Sequence, residues 1–399
     1  FLPFWLLFSY IFGRYSYDEL NLEKNYIIIF FKLYLISLVT SLISIIFVFI
    51  ISFNINLNNY IHFDKVILIY TSLSSLILNF LELPIIWRFI KISKRKEKWL
   101  FIGSKIIFKV LSNELDFSRK QIKLIFKDLN SEFSDIKLSE IKGIFFENLN
   151  NIDFKKLLYF QNKDIKFISL EGLCENFLQR FPPDILTTEF MIRGNFNISR
   201  KSLQLRIKRI GDISFSFLLL FFTSPLIIIA GTLIYLEDRK NIFYKQERVG
   251  INEKLFTIYK LRTMKFNAEE GVAKWSSKDD KRITRIGKFL RKSRLDELPQ
   301  LLSVIKGEMS LIGPRPERGI FDKELNKVIP FYKTRYFIKP GLSGWAQVNY
   351  PYGASINDSK IKFSYDLYYL RNFSLLLDFL ILFKTIKIVF LRRGSIAAK

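Results

Sequence analysis

Long apolar runs are the feature that most restricts what this chain of 399 residues can fold into. Residues 26–53 carry one charge, Lys32, and residues 66–90 form a second run; each run is long enough to cross a bilayer as a helix. Residues 1–13 are apolar but too short to span, and the chain starts with Phe, which suggests the end of a helix whose beginning is missing. We therefore predict transmembrane helices within residues 1–98 and no signal peptide.

The charge of the chain suits an anionic partner. It has 62 Lys and Arg against 37 Asp and Glu, a formal net charge of +25, which fits either nucleic acid or an anionic membrane with phosphorylated ligands. The apolar runs favour membrane lipids and make nucleic acid a remote alternative. Five basic residues follow the second run, and such clusters mark the cytoplasmic side of a membrane. They are Lys91, Lys94, Arg95, Lys96 and Lys98.

Residues 99–195 have the pattern of a soluble α/β domain. Short apolar runs predict four strands, and residues 105–115 have helical spacing. The predicted strands are 99–102, 122–126, 143–146 and 165–170. A nucleotide-binding fold needs G-x-G-x-x-G in its first turn, and only Gly103 is present there. We therefore predict a structural or regulatory domain that holds no dinucleotide.

A third apolar segment, residues 213–236, has Ser224 and Pro225 in its middle. One interpretation is a transmembrane helix with a proline kink. Basic residues flank both of its sides, however, and this places both ends in the cytoplasm. Pro225 removes a helix hydrogen bond, and the Ser224 hydroxyl can satisfy the carbonyl that is left without a donor. We therefore predict a helix–break–helix wedge that enters and leaves the membrane by the same face.

Residues 243–349 carry closely spaced charges with rigid Gly and Pro turns, and Arg suits phosphate because its planar fork contacts two oxygens. Asp296 and Glu297 precede Pro299, which a helix tolerates only in its first turn, so the carboxylates should lie at a helix N-terminus. An ionised Asp beside a phosphoryl group can act as a nucleophile, and the adjacent Glu could hold Mg²⁺. The other interpretation is an acidic cap on a surface helix. The chain has one histidine, His62, and one cysteine, Cys174, which disfavours a His base and excludes a disulfide framework.

From about residue 205 to residue 395 the sequence resembles the bacterial sugar transferases, the monotopic polyprenyl-phosphate phosphoglycosyl transferases. Seven motifs occur in the order of that family. They are Lys208-Arg209-x-x-Asp212, Ser224-Pro225, Gln246-x-Arg248-x-Gly250, Lys260-x-Arg262-Thr263-Met264, Leu295-Asp296-Glu297-Leu298-Pro299-Gln300, Gly313-Pro314-Arg315-Pro316 and Pro340-Gly341-x-x-Gly344-Trp345-Ala346-Gln347-Val348-Asn349. With the N-terminal membrane helices, the chain is similar to the long form of the family, such as undecaprenyl-phosphate galactose and glucose phosphotransferases.

The resemblance implies an α/β membrane protein in three parts. Transmembrane helices occupy residues 1–98, a degenerate Rossmann-like cytoplasmic domain residues 99–195, and a mainly helical catalytic domain residues 200–399, with the re-entrant membrane helix at 213–236. The expected location is the bacterial inner (plasma) membrane with the catalytic domain in the cytoplasm, and a homodimer is a family-based expectation. Residues 374–390 suit either an amphipathic interfacial helix or a helix packed on the catalytic domain.

The implied reaction has two steps. Asp296 attacks the sugar-bearing phosphorus of a UDP-sugar and releases UMP; the phosphate of undecaprenyl phosphate then takes over the phosphosugar and starts the assembly of an exopolysaccharide, O-antigen or capsule. Glu297 matches the second residue of the catalytic dyad and is the expected Mg²⁺ ligand. Lys260 and Arg291 match basic residues that line the active site of the family.

The resemblance also implies two further groups of site residues. The expected substrate-binding residues are Arg248, Arg262, Asp280 and Arg315. The expected residues of the re-entrant membrane segment are Lys208, Arg209, Asp212, Ser224 and Pro225, with the first three at the lipid headgroups. The family commonly has a small residue where Arg294 stands, a departure that leaves the dyad intact.

The alternative function is an inactive membrane scaffold that recruits other polysaccharide-assembly enzymes. The intact pair of Asp296 and Glu297 argues against it. A membrane-tethered nucleic-acid binder would carry its basic residues along one face with exposed aromatics between them, whereas here they cluster around carboxylates and membrane flanks.

Overall fold

The computed structural model describes residues 97–117, 122–128, 140–147, 165–194, 196, 202–266, 268, 280–351, 353 and 355–390, together with Ser37 and residues 39–41. The chain divides into two compact units, Phe1–Lys96 and Glu97–Lys399. Apart from four helical residues within the first run, the predicted transmembrane helices at 26–53 and 66–90 lie outside the described residues. The elements named below all belong to the second unit.

The second unit begins with a sheet of four parallel strands. They are β1 (Glu97–Ile102), β2 (Ile122–Lys127), β3 (Ile141–Phe146) and β4 (Lys166–Ser169), in the spatial order β2-β1-β3-β4, with helix α1 (Lys105–Phe117) after β1. The last four residues of both β1 and β3 are buried, as is usual for parallel strands covered on both faces. The four strands and the helix are confirmed, and the degenerate Rossmann-like character stays a prediction.

The carboxylate of Glu147 occupies the turn between β1 and α1. The Ser104 N–H, at the start of α1, donates to Glu147 Oε2 at 2.5 Å. This carboxylate occupies the helix N-terminus, which is where a phosphate group would bind. A Cβ on Gly103 would lie 2.5 Å from the same oxygen, so the turn leaves no room beside it. That this region holds no dinucleotide stays a prediction.

The segment after β4 joins this sheet to the rest of the unit. It contains α2 (Leu170–Leu173), a π-helical stretch (Cys174–Leu178), a 3-10 turn (Pro183–Ile185) and α3 (Thr188–Arg193). The Phe181 N–H donates to Ser364 O at 2.9 Å, and Trp345 Nε1 donates to Gln179 O at 3.0 Å. One hydrophobic core therefore runs from Trp99 in β1 to the C-terminal helices. The domain boundaries predicted at residues 98 and 195–200 stay predictions.

Helix α4 (Leu203–Asp238) contains the predicted re-entrant segment as one continuous helix of 36 residues. This replaces the predicted helix–break–helix, because a side chain supplies the hydrogen bond that Pro225 cannot make. A proline at position 225 leaves the carbonyl of Phe221 without its amide donor, and the Ser224 hydroxyl donates to that carbonyl at 2.8 Å. The role predicted for the Ser224 hydroxyl is therefore confirmed.

The middle of α4 is apolar and exposed, whereas both of its ends pack on the folded unit. Among the described residues, α4 is the helix that is long and apolar enough to cross a membrane, judged by length and composition. Phe221 and Ile228 expose 69% and 67% of their surface. Towards the start of α4, Asp212 is buried, and towards the end Ile234 packs with Leu261 and Leu290.

The region after α4 is built from short elements. An antiparallel pair, β5 (Phe243–Val249) and β6 (Leu255–Leu261), is followed by α5 (Arg285–Ser293), a 3-10 helix (Leu295–Gln300), α6 (Leu301–Lys306), β7 (Ser310–Ile312), α7 (Gly319–Val328), a 3-10 helix (Tyr332–Phe337), β8 (Gly341–Ser343), α8 (Trp345–Asn349), α9 (Ile356–Arg371) and α10 (Leu375–Phe390). Strands β7 and β8 are parallel and approach so closely that a Cβ on Gly341 would lie 2.0 Å from Gly313 N. This contact fixes the start of the Gly313-Pro314-Arg315-Pro316 loop.

Helix α10 combines the two interpretations of residues 374–390. Ile381 is fully buried, Asp378 accepts from Lys208 Nζ at 2.7 Å, and Lys384 Nζ donates to Asn349 Oδ1 at 2.9 Å, so one side of the helix is packed on the rest of the second unit. Another side is apolar and exposed, with Leu376 at 81% and Phe379 at 50%. The helix is therefore both docked on the protein and available to an apolar medium.

Candidate active site

The two adjacent carboxylates lie in the first turn of a 3-10 helix, Leu295–Gln300, that continues into α6. This confirms their predicted position at a helix N-terminus. Arg294 precedes the helix in the left-handed conformation, with φ at 60°, and reverses the chain between α5 and the 3-10 helix. The reversal presents Asp296 and Glu297 to the side chains of β6 and of the loop after β7.

Three cations converge on Glu297. Its Oε1 accepts from Lys260 Nζ at 3.0 Å and from Arg315 Nη2 at 2.5 Å, and its Oε2 lies 3.7 Å from Arg294 Nη1. Burial alone would raise the pKa of Glu297, but the charges of Arg315, Lys260 and Arg294 outweigh it and hold the pKa well below its usual value. Glu297 is therefore ionised throughout the physiological range.

Asp296 has the opposite environment. Its side chain is buried, and its Oδ1 has no hydrogen-bond partner among the described residues. Burial, with the neighbouring negative charge of Glu297, raises the pKa of Asp296 to about 6. A carboxylate that is desolvated and lacks a hydrogen bond keeps its lone pairs available, which is the condition that a nucleophile requires. Such a shift in a cleft also marks functional groups.

The other two residues predicted as catalytic lie beside this pair. Lys260, on β6, exposes 17% of its side chain, and partial burial lowers its pKa although the charge of Glu297 opposes the change. Arg291, on α5, donates from Nε to Thr263 Oγ1 at 2.8 Å and lines the same cleft. A Cβ on Gly287 would lie 2.1 Å from Thr263 O, so only a glycine lets α5 approach β6 this closely.

Arg315 connects the pair to a deeper group of charges. Its side chain binds Glu297, while its backbone carbonyl accepts from Arg335 Nη2 at 2.8 Å. Arg335 in turn contacts Asp366 at 3.0 Å and the hydroxyl of Tyr332. Arg335 and Asp366 are both almost fully buried in the wall of the same cleft, and Arg335 also binds the loop of Arg315.

The remaining predicted substrate-binding residues differ in their placement. Arg248 lines the cleft and donates to Pro316 O at 3.1 Å; burial lowers its pKa to about 10. Arg262 also lines the cleft, but it donates from Nε to Asn241 O at 2.6 Å and forms a two-pronged ion pair with Asp238. Asp280 accepts from Arg282 and is not among the described residues that line the cleft. The hydrogen bonds of Arg262 and Asp280 therefore connect parts of the fold to one another.

The three charged residues at the start of α4 contact protein. Lys208 binds Asp378 of α10, and Arg209 donates to Val304 O at 2.6 Å and Ile305 O at 2.8 Å, the last carbonyls of α6. Asp212 Oδ1 accepts from the Leu311 N–H at 3.1 Å. These contacts attach α4 to the rest of the second unit, and the position of the three side chains at the lipid headgroups stays a prediction.

The site opens into a cleft of about 1610 Å³. Part of its wall is charged and carries Lys260, Arg291, Asp296 and Arg315. Another part is apolar and comes from α4 and α10. Ordinary small-molecule pockets have volumes of about 300–1,000 Å³. The cleft is therefore large enough for more than one substrate.

The carboxylate pair fits a magnesium ion that shares its ligands with a substrate. Mg²⁺ usually takes one or two carboxylates and completes its shell with waters and substrate phosphates. Asp296 Oδ1 has no hydrogen-bond partner among the described residues, and the contacts of Glu297 Oε2 with Arg315 and Arg294 are long, at 3.5 and 3.7 Å. Among the described residues, no three His, Cys, Asp or Glu side chains form a metal cage.

Two residues of the site were not predicted as functional from the sequence. Arg294 was noted only as a departure from the family pattern, although its position two residues before Asp296 is a signal that it reaches the pair. Arg335 has no local signal, because its partners Arg315 and Asp366 are 20 and 31 residues away.

Comparison with known proteins agrees with this geometry. The family model described as "Bacterial sugar transferase" matches residues 203–392. An Aeromonas hydrophila UDP-N-acetylgalactosamine-undecaprenyl-phosphate N-acetylgalactosaminephosphotransferase is 46% identical over 189 residues, 47% of this chain and 45% of that protein. A Klebsiella pneumoniae UDP-glucose:undecaprenyl-phosphate glucose-1-phosphate transferase is 32% identical over 202 residues, 50% of this chain and 43% of that protein. The chain thus matches somewhat less than half the length of these two relatives.

A shorter relative is matched over most of its length. It is a Bacillus subtilis protein, provisionally named an undecaprenyl-phosphate N-acetylgalactosaminyl 1-phosphate transferase, with 47% identity over 153 residues, 38% of this chain and 86% of that protein. The segment matched by the family model, residues 203–392, contains the carboxylate pair, the cations around it and the apolar helix that precedes them. On these grounds the chain belongs to the bacterial sugar transferase family.

Proposed function

We propose that this protein transfers a sugar 1-phosphate from a UDP-sugar to undecaprenyl phosphate. The observation that carries the proposal is Asp296, a buried carboxylate with an oxygen that has no hydrogen-bond partner among the described residues, beside a Glu297 that three cations surround. The names of the relatives give undecaprenyl phosphate as acceptor and a sugar phosphate as the transferred group. The inactive scaffold is disfavoured because a scaffold has no use for such a pair.

In the first step, a carboxylate oxygen of Asp296 attacks the phosphorus that carries the sugar. The bond from this phosphorus to the oxygen that bridges it to the uridine phosphate breaks, UMP leaves with the electron pair, and an aspartyl phosphosugar remains. Lys260, Arg291 and Arg315 lie where the negative charge of the diphosphate must be balanced, and their fixed positions favour the charged transition state. Glu297 holds two of these cations in place.

In the second step, a phosphate oxygen of undecaprenyl phosphate attacks the same phosphorus. The bond to Asp296 breaks, the carboxylate is regenerated, and the product is undecaprenyl diphosphosugar. A bound Mg²⁺ would neutralise diphosphate charge, and Glu297 would hold it through Oε2. The two-step route uses one carboxylate twice, which suits a site where Asp296, with one unpartnered oxygen, lines a cleft that has room for two substrates.

We place α4 in one leaflet of the bacterial plasma membrane as a re-entrant helix, with the catalytic region in the cytoplasm. Both ends of α4 contact the same charged unit, through Asp212 with Leu311 and through Asp238 with Arg262. A helix that crossed a bilayer would have its ends on opposite sides. The exposed apolar middle, with Phe221 and Ile228, would then lie among lipid chains.

UMP release tests this proposal. Purified protein in membranes is incubated with Mg²⁺, undecaprenyl phosphate and a panel of UDP-sugars, with UDP-N-acetylgalactosamine first because the two relatives named for it share 46% and 47% identity. We expect UMP from at least one donor, and a loss of about 10⁴-fold or more in Asp296→Asn, as for other catalytic nucleophiles. Asp184→Asn, which changes an exposed partner of Lys360 away from the cleft, is the matched control.

No UMP from any donor would refute the proposed reaction. Full turnover by Asp296→Asn would refute the role of this carboxylate. Mass spectrometry of the protein after incubation with donor alone tests the aspartyl phosphosugar, which should appear in the wild type and be absent in Asp296→Asn.

A further inference from the structure

The cleft extends from the carboxylate pair to a gap between two apolar helices. Its wall includes one face of α4, formed by Phe215, Leu218, Leu219 and Thr223, at the helical spacing i, i+3, i+4 and i+8. It also includes part of α10, where Leu382, Thr385, Ile386 and Val389 follow the spacing i, i+3, i+4 and i+7 and Ile388 lies beside them. Together these nine residues are called the helix gap.

Contacts at the start of the gap and on its α10 side hold the two helices in place. Lys208 of α4 binds Asp378 of α10 at 2.7 Å, and the hydroxyl of Tyr369 donates to the other oxygen of Asp378 at 2.7 Å. On α10, the hydroxyl of Thr385 lies 2.6 Å from that of Ser343. The gap is therefore present in the folded protein, and the ion pair between Lys208 and Asp378 lies close to its start.

The residues of the helix gap are apolar yet incompletely covered. Leu219 exposes 40% of its surface and Phe215 48%. An apolar surface of this kind, continuous with a cluster of phosphate-binding cations, matches a ligand with a charged head and a long hydrocarbon chain. The cations of Lys260, Arg291 and Arg315 belong to the same cleft, so one ligand can reach both.

We infer that the helix gap binds the isoprenoid chain of the lipid-phosphate acceptor and leads it from the membrane to Asp296. The inference rests on the proposed function, because it assigns the route of the acceptor in that reaction. The acceptor phosphate lies at the cations and its chain runs between α4 and α10. The uridine diphosphate donor has no hydrocarbon chain and does not use the gap.

Matched tryptophan variants test the gap. Leu382→Trp and Leu219→Trp fill it, whereas Leu380→Trp and Leu226→Trp place the same bulk on exposed positions of the same helices outside the cleft. We expect the gap variants to raise the KM for undecaprenyl phosphate about tenfold or more, the factor that ~1.4 kcal/mol of lost apolar contact represents. The KM for the UDP-sugar should change far less, and farnesyl phosphate, with its short chain, should be affected less than undecaprenyl phosphate.

Equal KM values for the gap variants and their controls would overturn the inference. So would an equal rise for farnesyl and undecaprenyl phosphate, because the chain would then make no contact in the gap. Circular dichroism and elution volume of each variant in detergent show whether it is folded, and a misfolded variant is replaced by the measurement below.

Photo-crosslinking tests the wild-type protein directly. A polyprenyl phosphate with a benzophenone at the end of its chain should label residues 215–223 and 382–389, and excess undecaprenyl phosphate should suppress the labelling. A benzophenone phospholipid is the comparison. Equal labelling by the phospholipid in the presence of excess undecaprenyl phosphate would assign the gap to bulk membrane lipid, and labelling elsewhere would also overturn the inference.

The two proposals can fail separately. If no UDP-sugar yields UMP while the polyprenyl probe labels the gap, the reaction is wrong and the binding site stands. If UMP and lipid product form normally while the gap variants behave like their controls, the reaction stands and the assignment of the gap is wrong.

Discussion

Two groups of buried charge lie close together in the catalytic region, and they follow different rules. In the cleft cluster, formed by Asp296, Glu297, Lys260, Arg294 and Arg315, three cations meet one carboxylate, while the second carboxylate has an oxygen without a hydrogen bond. Its cations retain surface: Arg294 and Arg315 expose 35% and 34% of their side chains.

In the second group, called the paired cluster, one cation, Arg335, binds one anion, Asp366. Arg335 and Asp366 expose 5% and 3% of their side chains, and Arg335 also contacts the hydroxyl of Tyr332 and the carbonyl of Arg315. This difference separates charges that bind a ligand from charges that stabilise the fold. Cations that outnumber their carboxylates and are partly exposed can bind an anionic ligand, whereas an ion pair that is matched and fully buried stabilises the fold. Variants in the two clusters should therefore differ in what they change.

The largest expected change in stability comes from the paired cluster. Arg335→Met leaves Asp366 buried without its cation, and the free energy of unfolding should fall by about 3–5 kcal/mol. Thermal unfolding in detergent measures this. The double variant Arg335→Met with Asp366→Leu should recover most of the loss, because it removes both charges. A midpoint for Arg335→Met equal to that of the wild type would contradict the structural role of the pair.

Glu297→Gln should change activity far more than stability. Three cations lose the carboxylate that positions them, and UMP release should fall by about 10²–10³-fold, as when one preorganised electrostatic group is removed. Because Lys260, Arg294 and Arg315 are partly exposed, water can solvate them and the thermal midpoint should move little. Glu253→Gln, at an exposed ion pair, is the control. A large loss of stability with normal activity would show that Glu297 stabilises the fold and does not serve the reaction.

The pH dependence of UMP release should report Asp296. The carboxylate must be ionised to attack, and its pKa is raised to about 6, so the rate should fall as pH falls below this value, towards a tenfold loss per unit. Glu297 contributes no limb in this range because its pKa is well below its usual value. In Glu297→Gln the pH below which the rate falls should be lower than in the wild type, since Asp296 loses a neighbouring negative charge. A limb that stays in place would show that Glu297 does not raise the pKa of Asp296.

The smallest effect belongs to an exposed ion pair. Lys333 binds Glu253 at 2.8 Å with 56% and 48% of the side chains exposed. Lys333→Met should lower the free energy of unfolding by about 1 kcal/mol or less and leave UMP release unchanged. A loss comparable to that of Arg335→Met would mean that burial is not what separates the two pairs.

The sequence predicted features that depend on neighbouring residues. Apolar runs located β1 to β4, and Pro299 placed Asp296 and Glu297 in the first turn of a helix, because both signals act over a few positions. The Ser224 hydroxyl was also assigned correctly, although α4 continues where a break was predicted.

Features that depend on distant residues could not be predicted. Arg262 shares a motif with Lys260, but it binds Asp238, 24 residues earlier, and only the fold shows that its guanidinium is committed there. Lys208 likewise meets Asp378 across 170 residues. The helix gap combines α4 and α10, and no spacing within one segment reveals a face that two distant helices share.

The hydrogen bond from Ser224 to the carbonyl of Phe221 has a consequence for solvation. In water, the carbonyl that a proline leaves behind can take a solvent molecule, and inside a helical bundle it can take a neighbour's side chain. Phe221 and Phe222 are exposed, and in the membrane position proposed above for α4 neither source is available to them. The Ser224 hydroxyl, one residue before the proline, makes the hydrogen bond that a water molecule would otherwise make. Helix α4 can therefore lie in an apolar medium without a hydrogen bond from solvent or from another helix at this point.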